Sequence, residues 1–355
     1  MSGDFHHKQY NGITKQSISD SGWLDLFETI PVVRFYHHPD WFLAYDQHLS
    51  AAPLSLSVVE KNENTVALIT WQGANNARRC SVPSHDHLSL SEPLFDKDLS
   101  LIETKEVIQG ALSANNNQSW DWQFHNIPAH SALYSANLEQ ANWFCRQSRT
   151  SAWFDLKDEQ LPPGGKLRRN LKRLKSKLAE KGEVSAQWVS AKEELGGAFA
   201  LFSQLEASGW KAQRSHSTAI AHNPELLAFY KQLLTPEYPG LDPVITLLWI
   251  DDRCIAAQYA LRTATTLSLL KIAYDEDYAQ YSPGSLLLQN VITMAKTEGL
   301  NTVSLVTSPA WAERWHPQTE PVWHVTRYAN NTGGLTLKTM DRLKNTARAR
   351  LRPKF

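Results

Sequence analysis

Two short segments carry most of the chemistry this sequence can offer: Lys271-Ile272-Ala273-Tyr274-Asp275-Glu276, and, after a polar link, Tyr281-Ser282-Pro283-Gly284-Ser285. The second opens an apolar run that reads as a helix from about Ser282 to Glu298. Ser282 suits an N-cap and Pro283 the first helical position. Gly284 has no side chain, so a ligand can approach the backbone. The first turns hold no Asp or Glu. A helix N-terminus with unpaired N–H groups and no carboxylate is suited to binding an anion. The same residues also make an ordinary strand-to-helix turn, and turn chemistry alone leaves both readings open.

Other candidate side chains are read in the same two ways. Asp275 and Glu276 end a strand, either as a solvated turn pair or as a carboxylate beside apolar Ile272 and Tyr274. Lys271 interrupts the apolar Leu269-Leu270-Lys271-Ile272 run and points either to solvent or into a cleft. Trp210-Lys211 follows the helix-ending Gly209, where an aromatic ring and a cation suit an anionic or sugar-like acceptor, or simply fill core and surface. Glu206 and His216 flank that loop as candidate acids or bases. Tyr281 either contacts a ligand or packs on the last helix. No Gly-x-Ser-x-Gly elbow, Walker loop or His-Glu-x-x-His is present, so a serine hydrolase, a P-loop NTPase and a zincin are unsupported.

The elements that must position these residues are legible from periodicity. Val244–Ile250, Cys254–Leu261 and Thr266–Tyr274 read as a strand meander, and Thr302–Val306 as one more strand after the helix. Helices are expected over Lys192–Ser208 and from Pro224, capped by Asn223. Leu167, Leu171, Leu174 and Leu178 share one helical face, with Gly182 placed to end that helix. Its other faces carry Lys166, Arg168, Arg169, Lys172, Arg173, Lys175, Lys177 and Lys181, either a solvated surface or a dock for a polyanion such as tRNA, anionic lipid or acidic polysaccharide. No aromatic residue interleaves these cations, so single-strand base stacking is not expected. Upstream, Leu54–Glu60 and Thr65–Trp71 form a hairpin, Leu101–Ala114 a helix, and Trp120–Phe124 and Thr150–Leu156 strands.

The 355 residues are 42% hydrophobic and 20% charged, with 36 Lys+Arg balancing 36 Asp+Glu. This is the composition of a globular protein of about two domains. It gives no strong nucleic-acid signal overall. No run approaches the ~20 apolar residues of a membrane span. Three scattered cysteines make neither a disulfide framework nor a zinc site, and no metal is expected. A cytoplasmic protein is the expectation, with peripheral attachment at the inner face of the membrane as the variant. The reading divides the chain into a polar leader (1–22), a first domain (23–160), a second (161–330) and a basic tail (331–355), with the breaker Leu161-Pro162-Pro163-Gly164-Gly165 at the junction.

The chain resembles the GNAT-superfamily acyltransferases of the CelD/FemAB-like kind. The resemblance rests on Phe202-Ser203-Gln204-Leu205-Glu206-Ala207-Ser208-Gly209-Trp210-Lys211, on Thr218-Ala219-Ile220, and on Lys271–Glu276 leading into Tyr281-Ser282-Pro283-Gly284. The leucine-arginine helix and the Trp315 region fit too, as do His87-Leu88-Ser89 and Glu92-Pro93-Leu94 in the first half. It implies an α/β (α+β) fold of two GNAT-like domains, each a central mixed, mainly antiparallel sheet flanked by helices. It further implies acyl-CoA or acetyl-CoA as co-substrate, held by Tyr281, Ser282, Pro283, Gly284 and Ser285. Asp275, Glu206 and Lys271 would then be catalytic, and Trp210, Lys211, His216 and Tyr274 would bind a small-molecule or cell-envelope acceptor. The implied reaction is direct attack of an amine, or a hydroxyl, on the thioester. The FemAB side implies an alternative, an aminoacyl-tRNA-dependent transferase. The loop reads Tyr281, Gly284 and Leu286 where the family carries Arg or Gln, then two small residues. That departure supports a third reading, a catalytically reduced scaffold in polysaccharide production.

Overall fold

The computed structural model describes residues 5–32, 34–73, 78–115, 118–137, 141–208 and 219–351, with residue 137 and the last seven by backbone alone. The chain divides into two compact units, one of residues 1–30, 50–149 and 321–355, the other of residues 31–49 and 150–320. Both are α/β, as expected.

The first unit is built on a mixed sheet. Strands Phe5–Tyr10, Leu54–Lys61, Asn64–Gln72, Arg79–Ser81, Asp121–Pro128 and Gln318–Tyr328 follow one another across it. Arg79–Ser81 pairs with Asp121–Gln123 in parallel, and the other described pairs are antiparallel. The predicted hairpin is present, turned at Asn62 (φ 52°) and Glu63 (φ 67°), the left-handed pair a two-residue hairpin needs. Helix Leu101–Asn115 buries Val107, Ile108, Ala111 and Leu112 in this unit's core. The expected leader is not loose. Phe5–Tyr10 pairs with Leu56–Lys61, and Lys15–Asp20 is a helix capped by Thr14. The basic tail likewise holds a helix, Thr332–Leu351, and belongs with this unit.

The second unit carries the candidate chemistry, and its elements are labelled here in chain order: α1 (Pro39–His48), α2 (Gly165–Ala179), β1 (Val184–Val189), α3 (Lys192–Ser208), α4 (Pro224–Gln232), β2 (Asp242–Ile250), β3 (Arg253–Thr263), β4 (Thr266–Tyr274), α5 (Pro283–Thr297) and β5 (Thr302–Ser304). The sheet order is β5-β4-β3-β2-β1, with Trp153–Asp155 antiparallel on the outer side of β5. Among the described strand pairs of this unit only β4–β5 is parallel, because α5 crosses over between them. On one face Leu171, Leu174 and Leu178 of α2 join Leu287, Val291 and Ile292 of α5 over Val244, Leu248 and Ala260. On the other, Phe199 and Phe202 of α3 and Tyr230 of α4 pack around Tyr259. The leucine face predicted for residues 167–178 is thus a core face, with Leu167 half-buried at its edge.

Residues 31–49, expected in the first domain, belong here. Buried Asp40 explains why: its carboxylate accepts from the amides of Glu237 (3.1 Å) and Tyr238 (3.0 Å). Trp41 packs edge-on against Phe229 at 5.0 Å. His38 is fully buried, donates from Nε2 to the Pro239 carbonyl (2.9 Å) and accepts at Nδ1 from the Asp40 amide (3.3 Å). Burial lowers its pKa below the ordinary 6.5, with Asp40 and Asp242 opposing the shift. The unfolded chain therefore binds the proton first as pH falls, and stability is lost on acidification below 6.5. The expected slope is at most about 1.4 kcal/mol per pH unit from this group. Urea titrations at pH 7.5 and 5.5 should show a smaller pH difference in His38→Gln than in wild type; an equal difference would contradict this role for His38.

Candidate functional site

β4 and β5 pair over three residues only, Thr266–Ser268 against Thr302–Ser304, and then part. Two local features separate them. Against β3, Tyr259 faces Lys271 but Ala260 faces Leu269, so Leu270 is an extra residue that bends β4. After β5, Val306 takes φ 62°, a left-handed conformation unfavourable for a β-branched side chain, with its amide held by Ser304 Oγ at 3.1 Å. The gap is a cavity of about 230 Å³, with Gln258, Leu269, Lys271 and Ile272 on one side and Leu305, Thr307 and Trp311 on the other.

A second cavity of about 240 Å³ adjoins it, sharing Ile272 and Trp311, at the N-terminus of α5. Ser282, Pro283, Gly284 and Ser285 form one wall, Tyr274 and Ile272 another, and Arg314 the third. Ser282 sits at φ 53°, ψ 55°, turning the chain from the Glu276–Tyr281 turn into α5, and its side chain makes no capping bond. The amides of Ser285 and Leu286 fold back onto the Ser282 carbonyl at 2.9 and 3.1 Å. The positive end of α5 therefore faces the cavity chiefly through the amide of Gly284 and the helix dipole. A Cβ at Gly284 would lie 3.2 Å from Ile272 Cδ1, so glycine sets the close approach of α5 to β4. Arg314 Nη2 donates to Ser285 Oγ at 2.7 Å, and no carboxylate lines the cavity. Arg314 is carried on the short turn Ala310–Trp315, anchored by Trp315, which is 1% exposed.

The structure brings Lys271, Tyr274, Ser282, Pro283, Gly284 and Ser285 to these two cavities. The Lys271 ammonium also lies 5.8 Å from the ring centroid of Tyr230, a phenol that burial keeps protonated. Asp275 lies just past β4 with both oxygens engaged: Oδ2 meets Arg253 at 2.6 Å and Oδ1 accepts from the Asp277 amide at 3.1 Å. Glu206 is buried in α3 and accepts from the Ile220 amide at 2.8 Å. Tyr281 packs beside Tyr278, at 6.4 Å between centroids. Asp275, Glu206 and Tyr281 do not line either cavity. Trp210, Lys211 and His216 lie outside the described residues. Sequence reasoning did not find Arg314, Trp311 or Gln258. Arg314 meets Ser285 across 29 positions, and the only local signal is a cation preceding a tryptophan.

Among the described residues no group of three or more His, Cys, Asp or Glu could hold a metal ion. No described helix is long and apolar enough to cross a membrane. No curated protein matches the chain significantly. Among solved structures, L-PGS from Bacillus licheniformis is 12% identical, with 94% of this chain and 98% of that chain covered and a TM-score of 0.58. FemX is 10% identical, covering 94% and 99%, also at 0.58. A conserved protein of unknown function from Bacteroides thetaiotaomicron is 11% identical, covering 87% and 97%, at 0.55. At such identities these likenesses establish the fold. Residues 165–316, which include every residue lining the two cavities, match the family model of the acetyltransferase (GNAT) domain.

Proposed function

We propose that the protein is an acyl-CoA-dependent N-acyltransferase acting on an amine of a sugar, cell-envelope precursor or related metabolite. The observation that carries this is the pair of adjoining cavities: an anion-favouring pocket at the start of α5, with Arg314 and no carboxylate, opening into the gap between β4 and β5. The donor's diphosphate would lie against Gly284, Ser285 and Arg314, and its thioester arm along the gap. The amine attacks the thioester carbonyl carbon, a C–N bond forms, the C–S bond breaks, and the proton lost by the nitrogen passes to the departing thiolate, which leaves as the free thiol. Backbone N–H groups of β4 near the bulge would hold the carbonyl oxygen as it gains charge. Lys271, at the gap, would stabilise the departing thiolate. Arg314→Ala should lower the affinity for CoA about tenfold, or about 1.4 kcal/mol, by removing a charge-assisted contact. Calorimetric titration of CoA measures this. Unchanged affinity would move the phosphate site elsewhere, and no binding of CoA or any acyl-CoA to wild type would reject the donor.

A second reading has one observation of its own. Helix α2 buries Leu171, Leu174 and Leu178 and has no acidic residue between Gly165 and Ala179, while Lys166, Arg169, Lys172, Arg173, Lys175 and Lys177 are exposed. Such a face suits a polyanion, and it supports an aminoacyl-tRNA donor in place of acyl-CoA. Steeply salt-dependent tRNA binding without CoA binding would favour that reading. Binding of neither would favour the scaffold.

A further inference from the structure

The floor of the β4–β5 gap contains a polar group that nothing so far uses. Gln258 of β3 is 1% exposed and lines the gap, yet its Oε1 has no hydrogen-bond partner among the described residues. It lies opposite Ile272 on β4 and Thr246 on β2. Thr246 is also 1% exposed, and its hydroxyl too lacks a partner among the described residues. Apolar Leu269, Ile272 and Leu305 line the same cavity, together with Lys271 and Thr307. Buried polar groups are paired in most proteins, and an unpaired one costs stability. Leucine or methionine would fill the same place with no such cost. An amide held there, facing a cavity, is placed to meet a ligand.

We propose that Gln258 is a specificity-determining residue that hydrogen-bonds the acyl group of the donor, so that the gap selects an acyl chain bearing a hydroxyl over a plain alkyl chain of equal length. The inference rests on the acyl-CoA reading and adds the class of acyl group. A primary amide both donates and accepts, so it can pair with a hydroxyl in either sense. An alkyl chain in the gap would seal the amide from water and leave it unpaired. Sites built around a buried hydrogen-bonding group reject the analogue that lacks the matching group.

The test is calorimetric titration of CoA, butyryl-CoA and 3-hydroxybutyryl-CoA into wild type, Gln258→Leu and Gln258→Met, with thermal melts of each protein. Wild type should bind 3-hydroxybutyryl-CoA at least tenfold more tightly than butyryl-CoA. Both variants should lose that preference, keep their affinity for CoA, and melt no lower than wild type, because no internal bond is removed. Equal binding of the two thioesters by wild type would overturn the inference. So would a preference retained in the folded variants, or melting temperatures lowered in both, which would make Gln258 structural. CoA binding with no acyl preference overturns this inference alone. Failure of wild type to bind CoA at all overturns the acyl-CoA reading and this inference with it.

Discussion

Gly284→Glu is expected to lower the affinity for CoA about a hundredfold, or about 2.7 kcal/mol. Three effects combine. The new Cβ would meet Ile272 Cδ1 at 3.2 Å, in the wall shared by both cavities. The longer side chain would then occupy the space beside Ser285 and Arg314, where the phosphates would sit. Its carboxylate would add negative charge to a pocket with none and would pair with Arg314 in place of the ligand. The helix itself should tolerate the change, since an acidic residue in a first turn suits the dipole. Calorimetric titration, with circular dichroism to confirm folding, measures the loss. Equal affinity in a folded variant would place the donor elsewhere.

Trp315→Ala is expected to destabilise the protein by about 3–5 kcal/mol, the range for removing a fully buried large side chain. Trp315 is 1% exposed and lies 6.0 Å from Phe154 between ring centroids, in the core that also holds α5. Its Nε1 has no partner among the described residues, so the loss is one of packing and not of a hydrogen bond. Trp315→Phe should therefore recover more than half of it. Urea unfolding of the two variants measures both values. A Phe variant as unstable as the Ala variant would point to a role for the indole nitrogen. The same residue holds the turn that carries Arg314, so Trp315→Ala should also weaken CoA binding, whereas Trp315→Phe should not.

The fold of the second unit was legible because its signals are local. Leucines repeating along α2, the three-strand meander and the proline-opened α5 each follow from a few neighbouring residues. Helix α5 was expected over 282–298 and spans Pro283–Thr297. The rest depends on contacts distant in sequence. Strand Phe5–Tyr10 contains two histidines and a lysine and has no fully buried residue, so it lacks the alternation that marks a strand. What orders it is pairing with residues some fifty positions away. Residues 31–49 join the second unit through Asp40 and the amides of Glu237 and Tyr238, a contact no local pattern reveals. At the site, the glycine turn was readable from turn chemistry, but its cation was not. Arg314 reaches Ser285 from a turn that follows the left-handed Val306 and ends in buried Trp315. Asp275 shows the converse. Its position after the strand suggested a base, and the fold engages it with Arg253 and the Asp277 amide.

The most direct test of the central claim compares two ligands that share the thioester arm and differ in the phosphates. Calorimetric titration of CoA and of pantetheine into the wild-type protein should show CoA binding at least tenfold more tightly, with the difference reduced in Arg314→Ala. Pantetheine binding as tightly as CoA, or no binding of CoA, would contradict a phosphate-anchored donor cleft at the N-terminus of α5.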